Sequence, residues 1–127
     1  MTMIFQYTYE QVLRGEKNQT RRRICEGDAA VVDDYDYITA VTHNGRVKYA
    51  VGSSYAVQPG RNEAAVGRIQ LTQIDREPVA TITEADAIAE GYATVDDFLA
   101  IWEAMYGLGA LDEVVWVLTF RLLGSEA

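Results

Sequence analysis

The run Val114-Val115-Trp116-Val117-Leu118-Thr119-Phe120-Arg121-Leu122 near the end of the chain constrains the fold more than any other stretch. Side chains alternate across a β-strand, so Val114, Trp116, Leu118, Phe120 and Leu122 form one wholly apolar face, while Thr119 and Arg121 mark the other as partly exposed. Such a strand belongs in a sheet that covers a core on one side. The partners are visible upstream. Met3 to Tyr7 reads as a short strand, Ile38 to Thr42 and Arg46 to Val51 are β-prone, and Tyr55 to Gln58 ends at Pro59-Gly60. Val66 to Ile74 is a longer strand with Ile69 and Leu71 on one face and Arg68, Gln70 and Thr72 on the other. His43-Asn44-Gly45 separates the second and third of these runs, and Asn-Gly supplies the positive φ angles of a tight hairpin.

Two segments carry helical signals. Tyr9 to Arg14 predicts a short helix stopped by Gly15, with the basic run after it in the following turn. Thr83-Glu84-Ala85-Asp86 places a capping hydroxyl and acids at a helix start. Glu90-Gly91-Tyr92 interrupts that helix and Thr94-Val95-Asp96-Asp97 restarts it. Val95, Phe98, Leu99, Trp102 and Met105 then fall at core-facing helical spacing until Gly107. No repeat or linker divides the 127 residues, so one domain over 1–127 is expected. Five or six strands, a short N-terminal helix and a broken helix near the C-terminus describe an α+β protein whose curled sheet closes on itself.

Charge is distributed unevenly. The chain carries a net −8, yet Arg14, Lys17, Arg21, Arg22 and Arg23 concentrate five of its eleven basic residues in ten positions. A cationic strip in a polyanionic chain points at one anionic or polar ligand, and the overall charge argues against long nonspecific binding along duplex nucleic acid. Several chemistries have little support. Cys25 is the only cysteine, which excludes an internal disulfide, and His43 is the only histidine, which gives a His-based zinc cluster and a Ser-His-Asp triad little support. Asp33, Asp34 and Asp36 lack the glycine spacing and terminal glutamate of an EF-hand loop and read as a solvated acidic loop. No metal or cofactor is expected. With no long apolar run and no signal-like start in MTMIFQYTYE, the expected location is the cytoplasm, away from membranes.

Gly15-Glu16-Lys17-Asn18-Gln19-Thr20-Arg21-Arg22 resembles the Gly-x-Lys-x-x-Thr-x-Arg signature of ASCH domains. The similarity extends through Gln58-Pro59-Gly60, Gly67-Arg68-Ile69, Ile82 to Tyr92 and Val115-Trp116-Val117-Leu118-Thr119-Phe120. The resemblance implies a PUA-like β-barrel that binds RNA or nucleotides. One small bacterial branch of that family hydrolyses the amide of N4-acetylcytidine, and carried onto this sequence its reactive lysine, threonine and glutamate are Lys17, Thr20 and Glu90. This chain differs from that branch by an insertion around Asp28 to Tyr55 and by its three consecutive arginines.

The residue types suit that chemistry. A threonine hydroxyl needs a base, and a lysine becomes one when burial or nearby cations such as Arg21 and Arg22 depress its pKa. A carboxylate such as Glu90 can then pass a proton to a leaving amine or hold Lys17 in place. Lys17, Thr20 and Glu90 are therefore the candidate catalytic residues, and Arg21, Arg22 and Arg68 the candidate ligand contacts, since guanidinium groups pair with phosphate and stack on bases. Tyr35, Tyr37, Tyr49 and Tyr55 offer further stacking surfaces or half-buried strand positions. Three readings stay open: an RNA- or nucleotide-binding module, an amidohydrolase acting on N4-acylated cytidines, and a ribonuclease. The expected partner is a nucleoside, a nucleotide or a short single-stranded RNA.

Overall fold

The computed structural model describes residues 1–125. Eight strands and three α-helices follow one another as β1 (Thr2–Ile4), α1 (Tyr9–Leu13), β2 (Gln19–Arg23), β3 (Asp28–Val32), β4 (Ile38–His43), β5 (Arg46–Ala50), β6 (Ser54–Gln58), β7 (Gly67–Pro78), α2 (Glu84–Ala89), α3 (Val95–Tyr106) and β8 (Val114–Ser125). The long pair β7 and β8 forms the antiparallel spine. β2 extends the sheet beyond β8, and β6 and then β1 extend it beyond the first half of β7. β4 meets β7 at Ile38 opposite Ile74 and carries β3 and β5.

The fold is α+β, with the short N-terminal helix and the helix broken after Glu90 that the sequence predicts. The strand number and the closure differ from expectation. The sheet has eight strands and does not close into a barrel, because β1 pairs only with β6 and β2 only with β8. What crosses the gap between them is a side chain: Arg22 Nη2 donates to the carbonyl of Ile4 at 2.7 Å. The two additional strands have plain causes. Gln-Thr-Arg-Arg-Arg has no apolar alternation, but pairing from Gln19 opposite Thr119 to Arg23 opposite Val115 makes it β2, so the basic run is a strand and only Gly15–Asn18 remains as the turn. Strand character here is set by the partner rather than by intrinsic preference. β3 likewise forms a hairpin with β4. Asp33 holds its turn by accepting from the backbone N–H groups of Tyr35 and Tyr37 at 2.9 and 3.0 Å.

β8 is buried on both faces over Val115–Leu118. Trp116, Leu118 and Phe120 enter the main core with Met3, Phe5, Val41, Tyr55, Ile69 and Leu71. Val115 enters a second core with Val79, Ile82, Ala87, Phe98, Trp102 and Ala110 under α2 and α3. Val114, expected on the apolar face, is 42 % exposed at the strand's start. Met105 also departs from expectation, lying exposed with Ile101 while Phe98 and Trp102 are buried. A bulge between Leu71 and Gln73 resets the alternation of β7, so Leu71 and Ile74 both reach the main core. The predicted tight turn joins β4 to β5, with φ of 50° at Asn44 and 83° at Gly45.

Asp28 fastens the segment around β3–β5 to this frame. Its fully buried carboxylate accepts from the Cys25 N–H (2.9 Å), His43 Nδ1 (2.8 Å), Lys48 Nζ (3.1 Å) and the Trp116 indole Nε1 (3.0 Å). Burial alone would raise its pKa, but the Trp116, Cys25, His43 and Lys48 donors together hold it well below the usual carboxylate range. Among the described residues no helix is long and apolar enough to cross a membrane.

Candidate functional site: a cleft at the open seam of the sheet

The site begins at the end of a helix. The Thr83 hydroxyl caps α2 by accepting from the Asp86 N–H at 3.1 Å, and the helix stops at Glu90-Gly91-Tyr92. Gly91 has φ of 99°, its N–H donates to Ile88 O, and the Tyr92 N–H donates to Ala87 O, each at 2.9 Å. This is the Schellman arrangement, in which a left-handed residue, here glycine, turns the chain off the helix and satisfies two of its last carbonyls. The two remaining carbonyls are taken by the signature loop. Asn18 N–H donates to Ala89 O at 2.9 Å, and Lys17 Nζ donates to Glu90 O at 2.6 Å. A lysine ammonium at the negative end of a helix is electrostatically favoured there. The loop is held from its other side by Gln11 O, which accepts from the N–H groups of Glu16 and Lys17.

A buried chain of charges runs from this contact. Lys17 and Glu90 are each only 4 % exposed at their side chains, with Lys17 Nζ 3.3 Å from Glu90 Oε1. Glu90 Oε2 receives Arg21 Nη1 at 3.2 Å. Arg21 also donates to Glu77 (2.7 Å), Asp86 (3.5 Å) and Gln19 (2.6 Å), while its Nε is buried with no partner. Burial pushes the Lys17 pKa down against the opposing charge of Glu90, and Arg22 and Arg21 push it further. Burial pushes Glu90 up, opposed by Lys17 and Arg21. Burial thus disfavours the charged form of each member, and the opposite charge of its partner works against that.

Thr20 is buried, and its Oγ1 accepts from Arg22 Nε at 3.3 Å. Alternation along β2 sends Thr20 and Arg22 to one face and Gln19 and Arg21 to the other. Among the described residues Thr20 makes no hydrogen bond with Lys17 or Glu90. The three meet instead as lining of one cleft of about 630 Å³, where Arg21 and Arg22 also stand. The opposite wall is aromatic. Tyr92, Phe98, Trp102 and Tyr106 follow one another with ring centroids 5.5, 6.0 and 4.6 Å apart, and Phe5 contributes from the β1 side. Exposed Tyr7, Ile101 and Met105 form the rim.

Of the six residues anticipated from sequence, five line this space. Arg68 does not: it is exposed on the outer face of β7 and donates to Ser54 Oγ at 2.8 Å. Arg21 faces carboxylates rather than open cleft, which makes it a support for Glu90. Arg23 pairs with Glu113 at 2.7 Å and lies 4.5 Å from the centre of the Tyr106 ring. Tyr35 and Tyr37, 82 % and 71 % exposed, are outside the cleft, as are half-buried Tyr49 and buried Tyr55, whose hydroxyl accepts from the Ala50 N–H. Sequence reasoning missed Glu77, Asp86 and Gln11. It assigned Phe98 and Trp102 to core alone, whereas they pack the second core on one side and line the cleft on the other. The spacing of Phe98, Trp102 and Tyr106 at i, i+4 and i+8 was the available signal for a continuous aromatic wall.

No family model matches the sequence, and no curated protein matches it. Solved structures do. A crystal structure of an Enterococcus faecalis protein described under the family model DUF984 aligns over 100 % of this chain and 83 % of its own, with a TM-score of 0.65 and 14 % identity. A crystal structure of an ASCH domain from Lactobacillus crispatus aligns over 93 % of this chain and 74 % of its own, with a TM-score of 0.61 and 17 % identity. The fold built around this cleft is ASCH-like.

Proposed function

We propose that the seam cleft binds a nucleobase, making the protein an RNA- or nucleotide-binding module of the ASCH type. The observation that carries this reading is the buried Lys17–Glu90 pair set beneath an aromatic wall within one cleft. A planar heterocycle stacks on rings while its edge exchanges hydrogen bonds with polar groups, and protein sites for unpaired bases combine these two elements. Most of the cationic groups have carboxylate partners, so recognition rests on stacking and hydrogen bonding more than on long-range attraction to phosphate. Calorimetric titration with cytidine, uridine, adenosine and guanosine tests it. Saturable binding of at least one is expected, weakened tenfold or more by Glu90→Gln; no binding of any nucleoside or short single-stranded RNA refutes it.

A second reading is amide hydrolysis on an N4-acylated cytidine, and the lowered pKa of Lys17 beside Glu90 favours it. In this scheme Thr20 Oγ1 attacks the acyl carbonyl while Lys17 accepts its proton. The Arg22 guanidinium already donates to that oxygen, which favours loss of the hydroxyl proton. The tetrahedral adduct collapses with cleavage of the C–N bond, Glu90 helping a proton reach the departing cytosine amine, and water then releases the acyl group from Thr20. Wild-type protein incubated with N4-acetylcytidine should release cytidine and acetate, and Lys17→Ala and Thr20→Ala should each abolish release. Undiminished turnover in both variants would eliminate this scheme.

A further inference from the structure

Four of the five cations between Arg14 and Arg23 are matched by carboxylates: Arg14 by Glu16, Lys17 by Glu90, Arg21 by Glu77, Asp86 and Glu90, and Arg23 by Glu113. Arg22 is the exception. Among the described residues no carboxylate pairs with it, although it lines the same cleft as Lys17, Thr20 and Glu90.

Its guanidinium is nevertheless held firmly. Nε donates to Thr20 Oγ1 at 3.3 Å, Nη2 donates to Ile4 O at 2.7 Å across the seam, and the central carbon lies 5.2 Å from the centre of the Phe5 ring. Every one of these partners is uncharged. Nη1 donates to nothing among the described residues, and it is not sealed in the way Arg21 Nε is. A charge largely withdrawn from water, with neutral partners only, carries a desolvation cost that a bound anion relieves. Burial lowers the pKa of this guanidinium, in line with a missing counterion.

We propose that Arg22 seats the phosphate of a nucleoside monophosphate, so that the ligand of the seam cleft is a nucleotide rather than a nucleoside. This rests on the nucleobase reading above. The base stacks against the wall formed by α3, its polar edge meets Lys17 and Glu90, and the phosphate accepts from Arg22 Nη1 at the β1–β2 gap. The arrangement uses the one preorganised cation of the cleft that has no carboxylate partner among the described residues.

The test compares each nucleoside with its 5′-monophosphate by calorimetry on the whole chain, with inorganic phosphate as a third probe. For the preferred base, the monophosphate should bind at least tenfold more tightly, about the effect of one charge-assisted hydrogen bond. That advantage should shrink between 50 and 500 mM salt and fall to within threefold in Arg22→Gln. Equal wild-type affinities for nucleoside and monophosphate, or an advantage that Arg22→Gln retains, would overturn the proposal while leaving nucleobase binding intact. No binding of either would overturn both, and inorganic phosphate binding as tightly as the monophosphate would overturn the nucleotide assignment. Should Arg22→Gln fail to fold, the wild-type ratio and its salt dependence still decide the matter.

Discussion

Replacing Glu90 by Gln is the sharpest perturbation of the cleft, because it removes one charge and leaves the shape almost unchanged. Arg21 keeps Glu77 and Asp86, whereas Lys17 loses its only carboxylate partner among the described residues and retains the backbone carbonyl of residue 90 at 2.6 Å and a neutral amide oxygen. At 3.3 Å the Lys17–Glu90 attraction is about 5 kcal/mol with an effective dielectric constant of about 20. Breaking a buried pair from one side costs about 3–5 kcal/mol, and the surviving carbonyl bond puts this case near 3. For a chain of 127 residues that is a fall in Tm of about 11 °C at pH 7. The pH dependence has a definite sign. Glu90 opposes the burial that lowers the Lys17 pKa, so without it the folded value drops further below the unfolded one. Between those two values the unfolded chain binds more protons than the folded chain, and stability climbs as pH rises. The deficit of Glu90→Gln should therefore narrow as pH rises from 5 toward the ordinary lysine value of 10.5. Thermal melts followed by far-UV circular dichroism across that range measure it. A Tm within 2 °C of wild type at pH 7, or a deficit that grows as pH rises, would refute the buried-pair account.

Two further expectations follow from the same frame. Gly91→Ala places a Cβ with its nearest neighbour 3.6 Å away, so space is adequate, but φ of 99° is strained for any L side chain. A loss of about 1–2 kcal/mol, or 4–7 °C in Tm, is expected; an unchanged melt would show that the helix stop does not depend on glycine. Asp28→Asn removes the charge of a carboxylate that accepts four hydrogen bonds and turns one of its oxygens into a donor, which should cost about 3 kcal/mol at pH 7. Because the folded pKa of Asp28 is depressed, its stabilisation is present above the unfolded value and lost as pH falls through the folded one. Chemical denaturation should accordingly show the variant's deficit constant from pH 5 to 7 and narrowing below pH 4, and a deficit that persists unchanged at pH 3 would contradict this.

Local sequence already marked the helix stop at Glu90-Gly91-Tyr92, the Thr83 and Thr94 caps, the Asn44-Gly45 hairpin and the apolar face of β8. Each depends on a few neighbouring residues, through backbone φ, a capping hydroxyl or side-chain alternation. The lysine, threonine and glutamate were legible for a different reason, their resemblance to a family signature. The meeting of Lys17 with Glu90 across 73 positions was not legible, because it requires the loop after α1 to dock on the carbonyl end of α2.

The basic run shows the division most clearly. From sequence alone it was a cationic strip expected to lie in a turn and face a ligand. In the fold it became strand β2, because β8 supplies a partner edge that no local preference of Gln-Thr-Arg-Arg-Arg would indicate. Strand alternation then divided the arginines, sending Arg21 to Glu77, Asp86 and Glu90 and Arg22 to the open seam. Composition determined that many carboxylates were present, and local pattern determined where helices and turns begin and end. Only the tertiary structure decided which cations those carboxylates neutralise, because charge pairing depends on distance in space, and the pairs that matter here lie dozens of residues apart along the chain.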